Sequence, residues 1–454
     1  MKHKLAFLLP FLIATIIFEP VAASSSGADG LDISVKNKID SLLASFPQDG
    51  AGGVVAFVEN GKLIYSGSYG LAQVEWAVPN SMDACFRIGS VTKTFTALAV
   101  LQLAEAGKLS LDDKAVKWFP DVEMDGRITL AHLLSHTSGV VSGKSEPEFD
   151  PGEKMNYSNY GYIMLGNLIE KVSGKTYEQY LHDHIFSPLG MKQTGYDHFR
   201  TVIPGRVAGY EMLNGKTVNI GFTNIEGAGG AGALYSSAAD LVRFAQELSQ
   251  NRVLPAQLLA ESMQPFTLNN GSASTYGKGW MTRNYRGWTE ASHGGDIDGF
   301  NCYFAHFPDK QITVIVLQNM KMQMNTDWAN GGRLAHRLVD LAWGVELDPV
   351  APVVQTVTLP LEALQRLEGT YAFENAPAEM IAAMGASIVF FVEDGQLMVR
   401  DKTGAARLQA VGESEFVLPG IDIRIKFQAG NGTRPAGLNL VLMSVRELYA
   451  KRVE

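Results

Sequence analysis

Ser90 and Lys93 stand three residues apart in FRIGSVTKTF, where a glycine gives way to an alanine- and leucine-rich run. A helix brings positions i and i+3 to one face, so the lysine amine would lie beside the serine hydroxyl, at an N-terminus that adds partial positive charge. A free hydroxyl is a poor nucleophile and needs a neighbouring base, which a desolvated lysine or a phenolate can supply. By itself the pair is a weak signal, because Ser-x-x-Lys is common and a serine at a helix start is usually a cap. Two histidine pairs also have ligand-like spacing. His132 and His136 are four apart, but residue 133 is leucine where a zinc-protease motif needs glutamate. His182 and His184 in LHDHIF have no third ligand or cysteine cluster with them. All four read as structural, and neither a metal nor a cofactor is expected.

The elements that must position Ser90 and Lys93 are mixed. GGVVAFVENGKLIYSGSYG reads as two β-strands turning at Asn60-Gly61, and Thr94 to Ala106 reads as a helix. A second helix, Gly161 to Ser173, places Tyr162, Leu165, Ile169 and Val172 on one face and stops at Gly174. This mixture predicts an α/β or α+β domain over residues 24–348. LDPVAPVV then reads as a linker, and residues 352–454 are strand-rich, with Asp394-Gly395 as a hairpin turn in IVFFVEDGQLMVR. A second, all-β domain is predicted there.

With 454 residues and 46% hydrophobic content the chain can bury a large core. The net charge of -9 comes without a long basic run, so nucleic acid is not an expected partner. Lys2 and Lys4 precede an apolar stretch from Leu5 to Phe18, and Val21 and Ala23 precede a small-residue cleavage point, so residues 1–23 read as a signal peptide. The protein is therefore expected to be exported to a periplasm or the medium. The apolar stretch is shorter than the roughly 20 residues a spanning helix needs, and no membrane span is expected. Cys85 and Cys302 could pair in an oxidising compartment, yet two cysteines are too few for a framework, and two separate buried thiols are the simpler reading.

Six separated blocks, FRIGSVTKTFTALAVLQLAEAGKLSLDD, ITLAHLLSHTSGV, PGEKMNYSNYGYIMLGNLIEKVSG, PLGMKQTGY, GGAGALYSSAADLVRFA and ASHGGDIDGF, set the Ser90 and Lys93 pair in a longer pattern. In order and spacing they resemble the penicillin-recognising serine hydrolases, specifically the class C β-lactamase-like group, from about residue 50 to 345. The resemblance implies an α/β sandwich, an antiparallel sheet flanked by helices, with the nucleophile between it and a helical lobe. The C-terminal region resembles the lipocalin-like β-barrel that some members carry. Ser90 would be the acylated nucleophile, Lys93 its partner, and Tyr157 of YSN the tyrosine of Tyr-x-Asn. The backbone N–H groups of Ser90 and Asp296 would form an oxyanion hole, with Gly294 and Gly295 keeping an edge strand open to substrate. Asn159 would hold the substrate's acyl-side amide. Taken singly, Tyr157 reads as a packed core tyrosine and His293 as a satisfied strand histidine; the six blocks together decide otherwise.

A lysine charge about 4 Å from Tyr157 at an effective dielectric near 20 would contribute roughly 4 kcal/mol, or about 3 pKa units, and could bring the phenol near neutrality. Desolvation opposes this, so the sequence leaves open whether Lys93 or Tyr157 takes the serine proton. His293 of HGG stands where β-lactamases and penicillin-binding proteins carry the lysine of Lys-Thr-Gly. A histidine is mostly neutral at pH 7 and should capture a substrate carboxylate weakly. The expected activity is therefore an esterase, or an amidase or peptidase on D-amino acid compounds. The alternatives are a β-lactamase or DD-carboxypeptidase and, in another class, a penicillin-binding sensor or scaffold without turnover. A small-molecule or peptide substrate is the expected partner.

Overall fold

The run VVAFV within Gly53–Glu59 puts apolar side chains on both sides of a strand, and such a strand needs a covering layer on each face. Both layers are present in the computed structural model. It describes residues 30–453 apart from 214–215, 251–253, 324–325, 346–356, 375, 377–380, 382–384, 402–403, 419–422, 431–433 and 443–445. The leader expected over residues 1–23 and the linker LDPVAPVV lie outside the described residues.

Six strands form one antiparallel sheet: β1 (Gly53–Glu59), β2 (Lys62–Tyr69), β3 (Met281–Tyr285), β4 (Trp288–Ile297), β5 (Phe300–Phe307) and β6 (Ile312–Gln318). Their order is β3-β4-β5-β6-β1-β2. Pairing of β1 with β6 closes the sheet around a long insertion between β2 and β3. Asn60 and Gly61 both have positive φ, the twist that a two-residue hairpin prefers.

Five helices bear on the site: α1 (Ile33–Ala44), α2 (Thr92–Glu105), α3 (Leu130–Leu134), α4 (Asn159–Ser173) and α5 (Gly331–Ala342). Leu42 and Leu43 of α1 and Leu334 and Leu338 of α5 pack on Val55, Phe57, Val314 and Val316 from one face of the sheet. Val54, Ala56, Ile315 and Leu317 point the other way, into a cluster they share with Leu241, Phe244 and Ala245 of the helix Ala238–Gln250 and with Phe95, Leu98 and Leu101 of α2, on which α4 packs in turn. Full burial of each such side chain contributes about 1.5–3 kcal/mol. Helix α2 is buried on nearly every side, so it lies between sheet and insertion, with its N-terminus at the boundary. Helix α4 starts two residues before the expected Gly161, because the Ser158 hydroxyl accepts from the Gly161 N–H at 3.2 Å. It ends at Gly174, whose φ of 71 is the left-handed cap predicted from the sequence.

The C-terminal strands form a nine-stranded, nearly closed barrel with its own core. Tyr371, Phe390, Phe416 and Phe427 fill its middle with edge-on ring contacts between 5.0 and 5.7 Å. Asp394 and Gly395 make the expected hairpin turn, both at positive φ. One helix, Leu361–Leu367, precedes the first barrel strand and supplements the all-β expectation.

Candidate active site

Ser90 lies in a 3-10 turn, Gly89–Val91, directly ahead of α2, with Lys93 in the first turn of that helix. The serine is half-buried and the lysine fully buried. Lys93 Nζ stands 3.0 Å from Ser90 Oγ, 2.8 Å from Asn159 Oδ1 and 2.7 Å from the Ala231 carbonyl oxygen. Loss of water around the amine lowers its pKa to about 7. A neutral amine has two N–H groups and one lone pair, and these partners match it. Two are pure acceptors; the third is a hydroxyl that can donate to the lone pair.

Tyr157 lies at the mouth of the site and is 40% exposed as a residue, with Lys93 Nζ 4.7 Å from its ring centroid. Its phenol is nevertheless raised above the usual tyrosine range, chiefly by desolvation, with the Ser90 hydroxyl drawing it down. The Coulomb effect expected from the sequence is therefore outweighed. Lys93 has itself surrendered much of its charge at neutral pH, so burial governs both groups. Of the two, only the lysine titrates near neutrality.

His293 is on β4 and 1% exposed. Its Nδ1 stands 2.7 Å from the Gly294 carbonyl oxygen, so Nδ1–H donates there, leaving Nε2 to accept from the Tyr276 hydroxyl at 2.9 Å. Desolvation, then the Lys93 charge, lowers its pKa to about 3. The expected neutrality holds, but the imidazole is turned to Tyr276 and away from solvent. Because a lysine there would bury a cation, His293→Lys should lower the melting temperature on the order of 5–10 °C at pH 7, while His293→Gln, whose carbonyl can accept from Tyr276, should stay within a few degrees of the parent. Equal melting curves for the lysine variant and the parent would contradict this burial.

Strand β4 reaches the serine through two glycines. A Cβ at Gly295 would stand 1.9 Å from the Ile88 carbonyl oxygen, so only glycine permits this approach. Gly89 has φ 48, and a Cβ on it would stand 3.2 Å from the Asp296 amide nitrogen. Pairing of β3 with β4 stops at Ser292, and Ile297 pairs with Phe300 across a two-residue turn. Antiparallel alternation then turns the Asp296 N–H away from β5, toward the Ser90 turn.

The Beta-lactamase family matches residues 39–336, about two thirds of the chain. The chain belongs to this family. A penicillin-binding protein of Bacillus subtilis (strain 168) is 26% identical over 83% of this chain and 90% of its own length. A D-aminopeptidase of Gluconobacter oxydans (strain 621H) is 24% identical over 85% of this chain and 78% of its own. Among solved structures, the octameric penicillin-binding protein homologue from Pyrococcus abyssi superposes with a TM-score of 0.59 at 22% identity, over 92% of this chain and 99% of that one, a likeness of fold.

Around these candidate residues of the beta-lactamase-family chain, sequence spacing did not reveal three neighbours. The Ala231 carbonyl and Tyr276 touch Lys93 and His293 from distant segments. His136, read only as structural, packs on Tyr157 with 4.2 Å between ring centroids. The other histidines lie elsewhere: His132 closes a capping box with Thr129 on α3, His182 meets Asp183, and His184 stacks on Tyr180. Among the described residues no group of three His, Cys, Asp or Glu side chains is placed to hold a metal. Cys85 and Cys302 are separate buried thiols, pushed up by burial to about 11 and about 12. Among the described residues no helix is long and apolar enough to cross a membrane.

Proposed function

We propose that this serine hydrolase cleaves neutral esters, or amides and short peptides of D-amino acids, through an acyl-enzyme on Ser90. The observation that carries the reading is Lys93, buried, titrating near 7 and 3.0 Å from the Ser90 hydroxyl. In this mechanism the Lys93 lone pair takes the serine proton as Oγ attacks the carbonyl carbon. The Ser90 and Asp296 N–H groups stabilise the oxyanion. The leaving alcohol or amine departs with a proton relayed from Lys93, through or beside the Tyr157 hydroxyl. Water then attacks the acyl ester by the same route and frees Ser90. Asn159 keeps Oδ1 on Lys93, which leaves Nδ2 to donate to the acyl-side carbonyl of the substrate.

Substrate class follows from His293. The neutral imidazole is committed to Gly294 and Tyr276, so it offers a substrate carboxylate no charge. The similarity to a D-aminopeptidase supports the same class. Export through the N-terminal leader is part of this proposal and rests on sequence alone. A panel of short-chain nitrophenyl esters, D-amino acid amides and a chromogenic cephalosporin tests it. The best neutral substrate should exceed the cephalosporin by about tenfold or more in kcat/KM. Faster hydrolysis of the cephalosporin than of every neutral compound would favour a β-lactamase, and stable acylation without turnover would favour a sensor.

A further inference from the structure

One residue outside the proposed chemistry grips Tyr157 from both sides. The Asn156 N–H donates to the His136 carbonyl oxygen at 2.8 Å, and the Ser158 N–H donates to His136 Nδ1 at 3.0 Å. The backbone on either flank of Tyr157 is thus tied to residue 136. The imidazole also packs on the Tyr157 ring at 36° between planes, with Tyr276 at 4.5 Å and Tyr162 at 4.9 Å between centroids. Because Tyr276 donates to His293, one ring braces the tyrosine at the mouth and the residue that orients the β4 histidine.

The arrangement is held against two costs. His136 follows α3 with φ 58, a left-handed conformation that glycine or asparagine adopts with less strain. With Nδ1 accepting, the proton sits on Nε2, which is buried without a hydrogen-bond partner, and such a group costs about 1–3 kcal/mol. Packing alone would be served by a phenyl ring without the orphaned N–H. The lone pair on Nδ1 is what phenylalanine lacks. Burial, then the neighbouring Lys93 and His293, keeps the imidazole well below the usual histidine range, so that lone pair is available at neutral pH.

We propose that His136 is a positioning residue for Tyr157, using its Nδ1 acceptor and its ring to fix the phenol against Ser90 and Lys93. This role rests on the acyl-enzyme reading above. Two variants separate its parts: His136→Asn accepts the left-handed backbone and keeps an oxygen where Nδ1 stood, whereas His136→Gly keeps only the backbone. Both are assayed as kcat per serine titrated with a fluorophosphonate, which discounts misfolded protein. His136→Gly should lose about 10²-fold in kcat with KM within about threefold, and His136→Asn should recover to within about tenfold of the parent. A folded glycine variant with parental kcat, or an asparagine variant no better than glycine, would overturn the role. If the glycine variant does not melt cooperatively, His136→Phe, which keeps a ring without the acceptor, takes its place and should fall below His136→Asn; the reverse order overturns the role. A parent protein with no titratable serine would instead refute the acyl-enzyme reading itself.

Discussion

Ser90→Ala is expected to abolish covalent labelling by a fluorophosphonate and to reduce turnover by on the order of 10⁴-fold or more, to the assay floor. Among the contacts of the Ser90 hydroxyl is a desolvated amine at 3.0 Å, and its backbone N–H lies beside the glycine-lined approach of β4. A nearby alternative, Ser292, is 1% exposed and shares its hydroxyl with Tyr303 at 3.0 Å, in a cluster with Glu290. Intact mass before and after the probe, followed by peptide mapping, decides the matter. An adduct on a peptide lacking residue 90, or labelling retained by the folded alanine variant, would sink the assignment.

Lys93→Met should lower kcat/KM by about 10³-fold or more, because it removes the proposed base while keeping the volume of the buried stem. If Lys93 and Tyr157 act as one proton-transfer unit, Tyr157→Phe should be costly as well, and the double variant should lose little beyond the worse single one. Additive losses would mean separate roles. The pH dependence supplies a second signature. In the proposed mechanism the active form is the free amine, and burial lowers the Lys93 pKa to about 7, so activity should fall as pH drops below 7 and level off above it. At pH 5 the loss should be about 100-fold relative to the plateau, and this limb should vanish from the residual activity of Lys93→Met. A flat profile down to pH 5, or a limb that survives the methionine substitution, would show that another group is the base.

Local features of this site and fold were legible in the sequence. The Ser90 and Lys93 spacing needs only one helical turn to bring the groups together, and the turns at Asn60-Gly61 and Asp394-Gly395 need only residues that tolerate positive φ. The same holds for the end of α4 at Gly174. The order of the six blocks pointed to the beta-lactamase family, and the strand-rich C-terminus pointed to an all-β region, its barrel form being implied by the resemblance.

Tertiary structure alone decided the charge states. Which of Lys93 and Tyr157 titrates near neutrality depends on how much water each loses, and the acceptors that meet the amine come from Asn159 and Ala231, 66 and 138 residues away. Coulomb attraction could be written down from the sequence; desolvation could not, because burial belongs to the assembled core rather than to any segment. His293 was legible as neutral from its residue type. That its lone pair is spent on Tyr276, and that the ring of His136 sits between Tyr276 and Tyr157, required β4, α3 and the loop ahead of α4 to converge. Spacing along a chain fixes which groups share a helical face, whereas hydrogen-bond partners across elements are fixed only when the sheet and the inserted helices close on each other.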